Sequence, residues 1–185
     1  MGRLPPRHEA IGRILDVTVA LILLVFLLPV LALVALLVLV ADPGPIIFAH
    51  QRVGRDGRSF PCYKFRSMYV GAEERLARIL ALRPDLRREW EESHKLTDDP
   101  RVTPIGRFLR FSSLDELPQL VNVLRGEMSL VGPRPIVAAE VPRYGRFIAD
   151  YYRIKPGLTG LWQVSGRSST TYRRRVASDV LYARR

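Results

Sequence analysis

The longest hydrophobic feature of the chain is an uncharged run from Val17 to Ala41, in which only Thr18 and Pro29 are not simple apolar residues. A run of this length exceeds the roughly 18 residues that indicate insertion into a membrane. It is also longer than the apolar core of a secretory signal peptide, and no small-residue cleavage site follows it. The pattern therefore predicts a membrane-inserted segment, followed by a single domain over the rest of the chain.

Pro29 lies near the middle of this run, where proline removes a backbone hydrogen bond and bends a helix. Each half is then about 12 residues, or roughly 18 Å of helix, which is shorter than the roughly 30 Å hydrocarbon core. Arginines on both flanks favour a segment that enters and leaves on the cytoplasmic side. A single-pass helix with a tolerated proline is an equal alternative on physics alone. The flanking arginines are Arg3, Arg7, Arg13, Arg52, Arg55 and Arg58.

Short extended segments follow the apolar run. Ile46–Ala49 comes after a stop at Asp42–Pro45 and is predicted to be a strand. Gly54–Gly57 has turn chemistry, and Phe60–Met68 is predicted to be the partner strand. A phosphate loop is a poorer interpretation of the two glycines, because no strand-then-helix context surrounds them. We therefore predict a short β-hairpin.

The residues that follow the predicted hairpin show the spacing of apolar side chains that is typical of helices. Residues 71–94 carry apolar side chains at helical spacing, and Pro84 predicts a division of this segment into two helices. Ile105, Phe108 and Leu109 then form an apolar stripe among arginines. Such a stripe is typical of a helix that lies in a membrane interface, although it could equally face a core.

Glycine and proline shape the second half of the chain. A further helix is predicted over residues 120–124, after Pro118. Frequent glycine and proline over residues 126–160 predict ordered loops rather than long elements. A last helix is predicted over Thr171–Ala183.

Charge and cysteine content narrow the chemistry. The net charge is +11, and +10 of it belongs to residues 42–185, almost entirely as arginine. Arginine suits phosphate binding and contact with anionic headgroups, although a genomic preference for arginine would give the same composition. Cys62 is the single cysteine, which excludes a disulfide framework, and the three histidines show no zinc-ligand spacing.

The strongest candidate for catalysis is the stretch Ser113–Leu120, which contains the adjacent carboxylates Asp115 and Glu116. With Arg110 nearby, they could provide a nucleophile and an acid/base group next to a phosphate-binding cation. The competing interpretation is a capping box, in which Glu116 closes back on the backbone of Ser113 at a helix start. The spacing alone favours the capping box.

Two later stretches carry candidate phosphate ligands. Pro133 and Pro135 restrict the backbone on both sides of Arg134, which suits a preorganised phosphate clamp, although a buried structural ion pair would need the same restriction. Pro156–Arg167 offers tight turns and backbone amides that could bind a nucleotide diphosphate. Trp162 within it could stack on a base or sugar, but a packing role is more common.

These stretches together resemble the bacterial sugar transferase family, the monotopic polyprenyl-phosphate phosphoglycosyl transferases. The resemblance runs from about Arg13 to Tyr182 and rests on four motifs in order. Each motif alone is weakly specific, whereas the four in order after an apolar helix are highly specific. The motifs are Tyr63–Met68, Ser113–Leu120, Gly126–Pro135 and Pro156–Arg167, with Asp98–Thr103 as an additional similarity.

The resemblance implies an α+β, mostly helical fold. Residues 1–42 would form an N-terminal re-entrant membrane helix broken near Pro29, where Leu28–Pro29 replaces the Ser-Pro or similar pair of the family. Residues 43–185 would form a small cytosolic catalytic domain with interfacial amphipathic helices and a short β-hairpin. Relatives commonly carry further N-terminal transmembrane helices and another domain, so this chain looks like the small, minimal form.

The resemblance also implies a mechanism. Asp115 matches the family's nucleophile, which attacks the β-phosphate of a UDP-sugar, forms an aspartyl phosphosugar and releases UMP. Polyprenyl phosphate then attacks this intermediate, and Glu116 matches a partner that assists deprotonation or the metal site. Mg²⁺ would bridge Asp115 and the diphosphate. The basic positions expected around the phosphates are Lys64, Arg110, Arg134 and Arg167.

The implied setting is the first membrane step of polysaccharide or glycoconjugate synthesis. Expected partners are a UDP-sugar, polyprenyl (undecaprenyl) phosphate and membrane lipids, but no nucleic acid. The expected location is the bacterial inner (cytoplasmic) membrane, with the catalytic domain on its cytoplasmic face. The sequence does not identify the sugar, and it leaves homo-oligomer formation open.

Three other functions compete with this interpretation. A membrane-anchored nucleic-acid-binding protein would explain the basic charge, but prolines and carboxylates interrupt the positive residues and no nucleic-acid motif is present. A non-catalytic scaffold could keep the same fold without its activity. An ordinary glycosyltransferase would release UDP rather than UMP.

Overall fold

The computed structural model describes residues 6–93, 96–161 and 171–184. These residues form a mostly helical α+β structure, as predicted. The helices are α1 Pro6–Phe26, α2 Leu28–Ala41, α3 Ala72–Leu82, α4 Pro84–Ser93, α5 Pro104–Ser112, α6 Gln119–Arg125, α7 Val141–Tyr144, α8 Ile148–Tyr152 and α9 Tyr172–Arg184. The strands are β1 Ile47–Val53, β2 Ser59–Phe65, β3 Ser129–Val131 and β4 Gly157–Thr159.

The chain divides into two compact units. Unit 1 comprises the residues up to 28, residues 49–64 and the residues from 118 onward. Unit 2 comprises residues 29–48 and 65–117. The predicted division at residue 42, between a membrane segment and a catalytic domain, concerns the membrane and stays a prediction.

The predicted β-hairpin is present, with different strand limits. β1 continues to Val53, beyond the predicted end, and a 3-10 turn at Arg55–Gly57 connects it to β2. Asp56 adopts a left-handed φ of 57° in this turn. β2 ends at Phe65, and Met68 instead forms an isolated antiparallel bridge with Val102. Backbone pairing therefore decides the strand limits, and the alternation of side chains did not reveal them.

The apolar run forms two helices rather than one. Neither α1 nor α2 alone has the length and hydropathy of a membrane-crossing helix, within the part of the chain that is described. Glu9–Phe26 and Leu28–Ala41 meet these criteria together, and they are bent by 63°. The break at Leu27 confirms the predicted interruption near Pro29, because proline is accommodated in the first turn of a new helix but not inside a continuous one.

Within unit 1, helix α1 packs along α6. Arg13 donates hydrogen bonds to the carbonyl oxygens of Val123 and Leu124, the second at 2.7 Å, and so caps the end of α6. The carboxylate of Asp16 accepts hydrogen bonds from the β3 backbone amide of Leu130 at 2.9 Å and the Ser129 hydroxyl at 3.0 Å. The buried side chains of this first core are Ala20, Phe60, Cys62, Leu120, Val123 and Met128.

A parallel pair of short strands completes unit 1. β3 pairs with β4, and Ser129 lies opposite Gly157. A side chain could not fit at Gly157, because a Cβ atom there would lie 2.1 Å from the backbone nitrogen of Gly132. Residues 126–160 were predicted as ordered loops, and this sheet was missed because three-residue strands carry no periodic signal. A second core lies nearby and contains Val53, Ile136, Tyr144, Tyr151 and Val176.

Unit 2 has a core of its own. Val34 and Val38 of α2 pack with Phe65 and Leu109, and Ile105 and Leu114 are partly buried against them. Phe108 on the same helix as Leu109 is exposed. The apolar stripe of α5 is therefore split, with Ile105 and Leu109 facing the core. Pro84 is the first residue of α4, which confirms the predicted division of residues 71–94.

Candidate active site

The two candidate carboxylates lie on one tight turn of unit 2. Asp115 and Glu116 belong to a 3-10 turn, Leu114–Glu116, that follows directly after α5. Leu114 anchors this turn against the core, and the side chain of Asp115 is buried, with the residue 8% exposed. Glu116 is half-buried. The neighbouring carboxylates therefore occupy different surroundings, which allows them different roles.

The capping-box interpretation is wrong. Ser113 ends α5 in a left-handed conformation with φ of 61°, and its side chain forms no capping hydrogen bond. The carbonyl oxygen of Ser113 accepts a hydrogen bond from the Glu116 backbone amide at 3.2 Å. A non-glycine residue in this region is strained by roughly 1–2 kcal/mol. Such strain often accompanies functional sites, and here it lies two residues from Asp115.

Arg110 is the cation next to these carboxylates. Its guanidinium Nε donates a hydrogen bond to the Ser67 hydroxyl at 2.9 Å. Burial lowers the pKa of Arg110, while the charges of Asp115 and Asp99 oppose that change. Arg110 therefore stays charged and interacts electrostatically with Asp115. The structure thus places Arg110 and Asp115, two of the predicted site residues, close enough to interact.

Close backbone packing explains how α5 reaches this position. Thr103 caps the start of the helix, with its hydroxyl oxygen accepting a hydrogen bond from the Gly106 amide at 2.9 Å. The Thr103 amide donates to the carbonyl oxygen of Ser67 at 3.1 Å. A Cβ atom on Gly106 would lie 2.0 Å from the same oxygen. Only glycine allows α5 to approach the segment that carries the hydroxyl partner of Arg110.

A buried ion pair lies close enough to Arg110 to act on its charge. Arg101 donates to Asp99 through Nε at 2.8 Å and Nη2 at 2.6 Å, and both side chains are largely buried. The guanidinium also lies 5.1 Å from the ring centroid of Trp90. Burial tends to raise the pKa of Asp99, but the hydrogen bonds from Arg101 outweigh it and the pKa is lowered. Asp99 and Arg101 lie within Asp98–Thr103, which resembles the family, but their residue types alone predicted no role for the pair.

Lys64 and Arg134, two further predicted phosphate ligands, belong to unit 1. Lys64 lies on β2, where Asn122 holds the strand through the Tyr63 amide at 3.0 Å and the Pro61 carbonyl oxygen at 2.7 Å. Arg134 is half-buried between its two prolines. The Gly157 amide donates to the carbonyl oxygen of Pro133 at 2.8 Å, so the backbone next to Arg134 is fixed.

Two basic residues that were not predicted as phosphate ligands lie close to Lys64 and Arg134. Arg52 and His50 are on β1, and burial lowers the pKa of His50, with further lowering by Arg52 and Lys64. Burial also lowers the pKa of Arg52, and Arg134 lowers it further. The alternation of His50 and Arg52 along a strand could have indicated them, but the predicted strand ended at Ala49.

The loop from Pro156 to Arg167 is described only at its start. Arg167 and Trp162 lie outside the described residues, and Pro156–Thr159 at the start of the same loop contributes β4. Within the described residues, no three histidine, cysteine, aspartate or glutamate side chains converge as ligands for a metal ion. Asp115 as a ligand of Mg²⁺ stays a prediction.

Comparison with known proteins extends these observations. The sequence profile of the family described as bacterial sugar transferase matches residues 7–185. The chain is 53% identical over 173 residues to the UDP-galactose-lipid carrier transferase of Erwinia amylovora, which covers 93% of this chain and 36% of that protein. It is 57% identical over 143 residues to the undecaprenyl-phosphate galactose phosphotransferase of Salmonella typhimurium, which covers 77% of this chain and 30% of that protein.

A shorter relative matches over most of its own length. The chain is 46% identical over 181 residues to the exopolysaccharide production protein ExoY of Rhizobium meliloti, covering 98% of this chain and 80% of that protein. The chain thus spans about a third of the first two relatives, which are longer proteins. Because the family profile matches nearly every residue, the chain belongs to the bacterial sugar transferase family.

Proposed function

We propose that this chain transfers a hexose-1-phosphate from a UDP-sugar to polyprenyl phosphate and releases UMP. The observation that carries the proposal is the buried carboxylate of Asp115 on a tight turn, with the Arg110 guanidinium as its electrostatic partner. The names of the two longer relatives, which specify a UDP-galactose donor and an undecaprenyl-phosphate acceptor, support the same substrate classes.

In the first step, a carboxylate oxygen of Asp115 attacks the β-phosphorus of the UDP-sugar. The new Asp115–phosphorus bond forms as the bond from the β-phosphorus to the bridging oxygen breaks, and UMP leaves with the electron pair. Arg110 stabilises the negative charge that develops on the phosphoryl oxygens. Burial of Asp115 favours this role, because a carboxylate with little water around it is a stronger nucleophile.

In the second step, an oxygen of the polyprenyl phosphate attacks the same phosphorus atom. The Asp115–phosphorus bond breaks, and the carboxylate is restored as the polyprenyl diphosphosugar leaves. Glu116 accepts the proton of the acceptor phosphate, which its half-buried position next to Asp115 permits. Transfer through a covalent intermediate divides the reaction into two displacements at one site.

Mg²⁺ fits the donors of this turn. The ion prefers oxygen ligands, commonly one or two carboxylates together with substrate phosphate oxygens, and Asp115 and Glu116 offer that donor type. Asp115 would hold the ion together with the diphosphate. When bound, the ion would supply neutralisation of the diphosphate charge.

The proposed location is the bacterial inner membrane, with the reaction on its cytoplasmic face. Large apolar side chains of α1 and α2 are exposed, including Phe26 at 77% and Val40 at 72%. Exposed apolar surface of this extent indicates contact with lipid or another protein. The bend between the two helices suits a re-entrant segment, because the 14 residues of α2 are roughly 21 Å of helix and do not reach across a hydrocarbon core of roughly 30 Å.

The test is UMP release from a panel of UDP-sugars by detergent-purified protein with Mg²⁺ and undecaprenyl phosphate. We expect lipid-dependent UMP release with one sugar, loss of at least about a thousandfold in Asp115→Asn, and intact thermal unfolding of that variant. Release of UDP instead would show an ordinary glycosyltransferase. Equal rates in Asp115→Asn and the wild type would exclude Asp115 as the nucleophile.

The membrane assignment has a separate test. Phe26→Asp together with Val40→Asp should shift the protein from the membrane pellet to the soluble fraction after fractionation of cells. Arg83→Asp with Arg87→Asp, a double substitution of the same type outside the apolar helices, serves as the control. Retention of the apolar-helix variant in the pellet at the wild-type level would contradict membrane embedding.

A further inference from the structure

The hairpin of unit 1 presents basic side chains on one face. His50 and Arg52 are alternate residues of β1, so their side chains project to the same side of the strand. Lys64 lies on the paired strand β2, and it is one of the charges that lower the pKa of His50. Arg52 and Lys64 are therefore both close enough to His50 to act on its charge.

Backbone pairing extends this face to Arg134. The Val53 amide donates to the Ile136 carbonyl oxygen at 2.8 Å, and the two residues form an antiparallel bridge. The Tyr151 hydroxyl locks the same junction, donating to the Val53 carbonyl oxygen at 2.8 Å. Arg52 is adjacent to this bridge in sequence, and Arg134 lies two residues before Ile136. The two guanidinium groups are therefore held near each other by the fold.

The contacts that Arg52 makes within the protein are weak. Its Nη1 lies 3.4 Å from the Pro135 carbonyl oxygen and 4.0 Å from a carboxylate oxygen of Glu140. Both distances are at the long limit of their kind, and Glu140 is shared with Arg175 at 3.5 Å. The side chain of Arg52 is nevertheless only 14% exposed. A purely structural arginine at this burial would be expected to have shorter, better-directed partners.

Like charges held together and partly removed from water destabilise one another. Burial lowers the pKa of both Arg52 and His50, and repulsion from neighbouring cations lowers it further. A multiply charged anion relieves this repulsion, and arginine forks match phosphate oxygens. A fold that rigidly assembles such a cluster is preorganised for phosphate.

We propose that His50 and Arg52 join Lys64 and Arg134 in one phosphate-binding strip on unit 1, and that the strip takes the diphosphate of the nucleotide donor. This inference rests on the proposed function for the identity of the donor. Arg52 supplies a bidentate cation next to Arg134, and His50 donates a further hydrogen bond between Arg52 and Lys64. A diphosphate suits the strip better than a single phosphate, because its larger negative charge and its additional oxygens can engage more of the four basic side chains.

Isothermal titration of UDP into the detergent-purified full chain tests the strip. We expect Arg52→Gln to raise the Kd for UDP about tenfold or more, because a charged hydrogen bond to phosphate is lost. His50→Gln should raise it by a smaller factor, about threefold. Arg58→Gln is the matched control, since it removes the same charge from an exposed position of the same hairpin and should leave the Kd within about twofold.

A second titrant, farnesyl phosphate, distinguishes the donor from the lipid acceptor. Weaker binding of farnesyl phosphate with unchanged UDP binding in Arg52→Gln would assign the strip to the acceptor and overturn the proposal. Unchanged Kd for both ligands would also overturn it. If Arg52→Gln unfolds, Arg52→Lys keeps the charge without the fork and should still weaken UDP binding. If UDP binding depends on Arg52 but the protein releases no UMP, the proposed function is wrong and the phosphate-binding strip still stands.

Discussion

The Arg110 guanidinium donates a hydrogen bond through Nε to the Ser67 hydroxyl at 2.9 Å. The pair joins α5 to the extended segment after β2, and both residues belong to unit 2. With Nε engaged, the terminal nitrogens of Arg110 are the ones left to face a phosphate, and the charge of Asp115 acts on the same group. Ser67 therefore orients a cation that the proposed reaction requires at its nucleophile.

Removal of this hydroxyl should slow catalysis without unfolding the protein. We expect Ser67→Ala to lower kcat for UMP release about tenfold, because a hydrogen bond to a charged group is lost. Ser67→Thr keeps the hydroxyl and should retain most of the activity. In an Arg110→Gln background, Ser67→Ala should have no further effect. Additive effects of the two substitutions would contradict the orienting role.

The Asp99–Arg101 pair should contribute to stability because it is largely buried. Asp99→Asn leaves Arg101 enclosed without a counter-charge, and we expect unfolding to become easier by about 2–3 kcal/mol. This expectation lies below that for a fully buried pair, because about a tenth of each side chain reaches solvent. Chemical denaturation in detergent measures the change.

The control is Asp85→Asn, which breaks a bidentate pair with Arg83 of similar geometry on the exposed surface. Solvent screens that pair, so no measurable change in the unfolding midpoint is expected. Equal destabilisation by both substitutions would show that burial does not control how much an ion pair contributes to stability.

Close packing at Gly106 leads to a prediction for stability and activity together. The Cβ atom of Gly106→Ala would collide with the Ser67 carbonyl oxygen, so α5 must move away from the segment that carries Ser67. We expect a loss of at least about 2 kcal/mol in the free energy of unfolding. UMP release should fall as well, because Arg110 loses its partner.

Gly12→Ala is the control for Gly106→Ala, because the added methyl group has free space at Gly12. It lies within α1, and a Cβ atom added there would meet no neighbouring element within 4 Å, so alanine encounters no obstacle. Gly12→Ala should stabilise the protein by about 0.5–1 kcal/mol through its helix propensity. A neutral Gly106→Ala would mean that the approach of α5 to Ser67 is looser than the structure indicates.

Asp179 predicts a dependence of stability on pH. Its carboxylate accepts a hydrogen bond from the Tyr144 hydroxyl at 2.7 Å, and burial raises its pKa from 3.8 to about 6. Because the folded pKa is the higher one, the stabilising contribution is complete below pH 3.8 and is lost as pH rises through about 6. The difference corresponds to about 3 kcal/mol.

Thermal unfolding between about pH 4.5 and 7.5 measures this contribution. Asp179→Asn removes the titrating group but keeps an acceptor for Tyr144, so we expect a flatter pH profile and greater stability than the wild type at the alkaline end. Parallel profiles for the two proteins would contradict the assignment to Asp179. Asp56→Asn, in the exposed hairpin turn, should leave the profile unchanged.

The sequence determined the features that depend on local patterns. Pro29 marked the interruption of the apolar run and Pro84 the division between α3 and α4, since proline acts on the backbone wherever it lies. The order of the motifs identified the family, and the Asp115–Glu116 pair was a catalytic candidate from its residue types next to Arg110, with its roles implied by the resemblance to the family. The chemistry of these residues is local and is therefore visible in the sequence.

Contacts between distant segments lay beyond the sequence. Ser67 and Arg110 are 43 residues apart, and nothing in their types indicates that they meet. The capping box favoured for Ser113 was wrong, because the same residues also form a tight turn without a side-chain cap, and only the folded backbone decides between the two.

The basic strip of unit 1 depends both on residue types, which the sequence shows, and on tertiary contacts. Lys64 and Arg134 were predicted from motifs, but Arg52 became the neighbour of Arg134 only because Val53 pairs with Ile136, which lies far along the chain. Residue types decide which groups can bind phosphate, because charge and geometry belong to the side chain. Tertiary structure alone decides which of these groups meet, because long-range backbone pairing sets their distances.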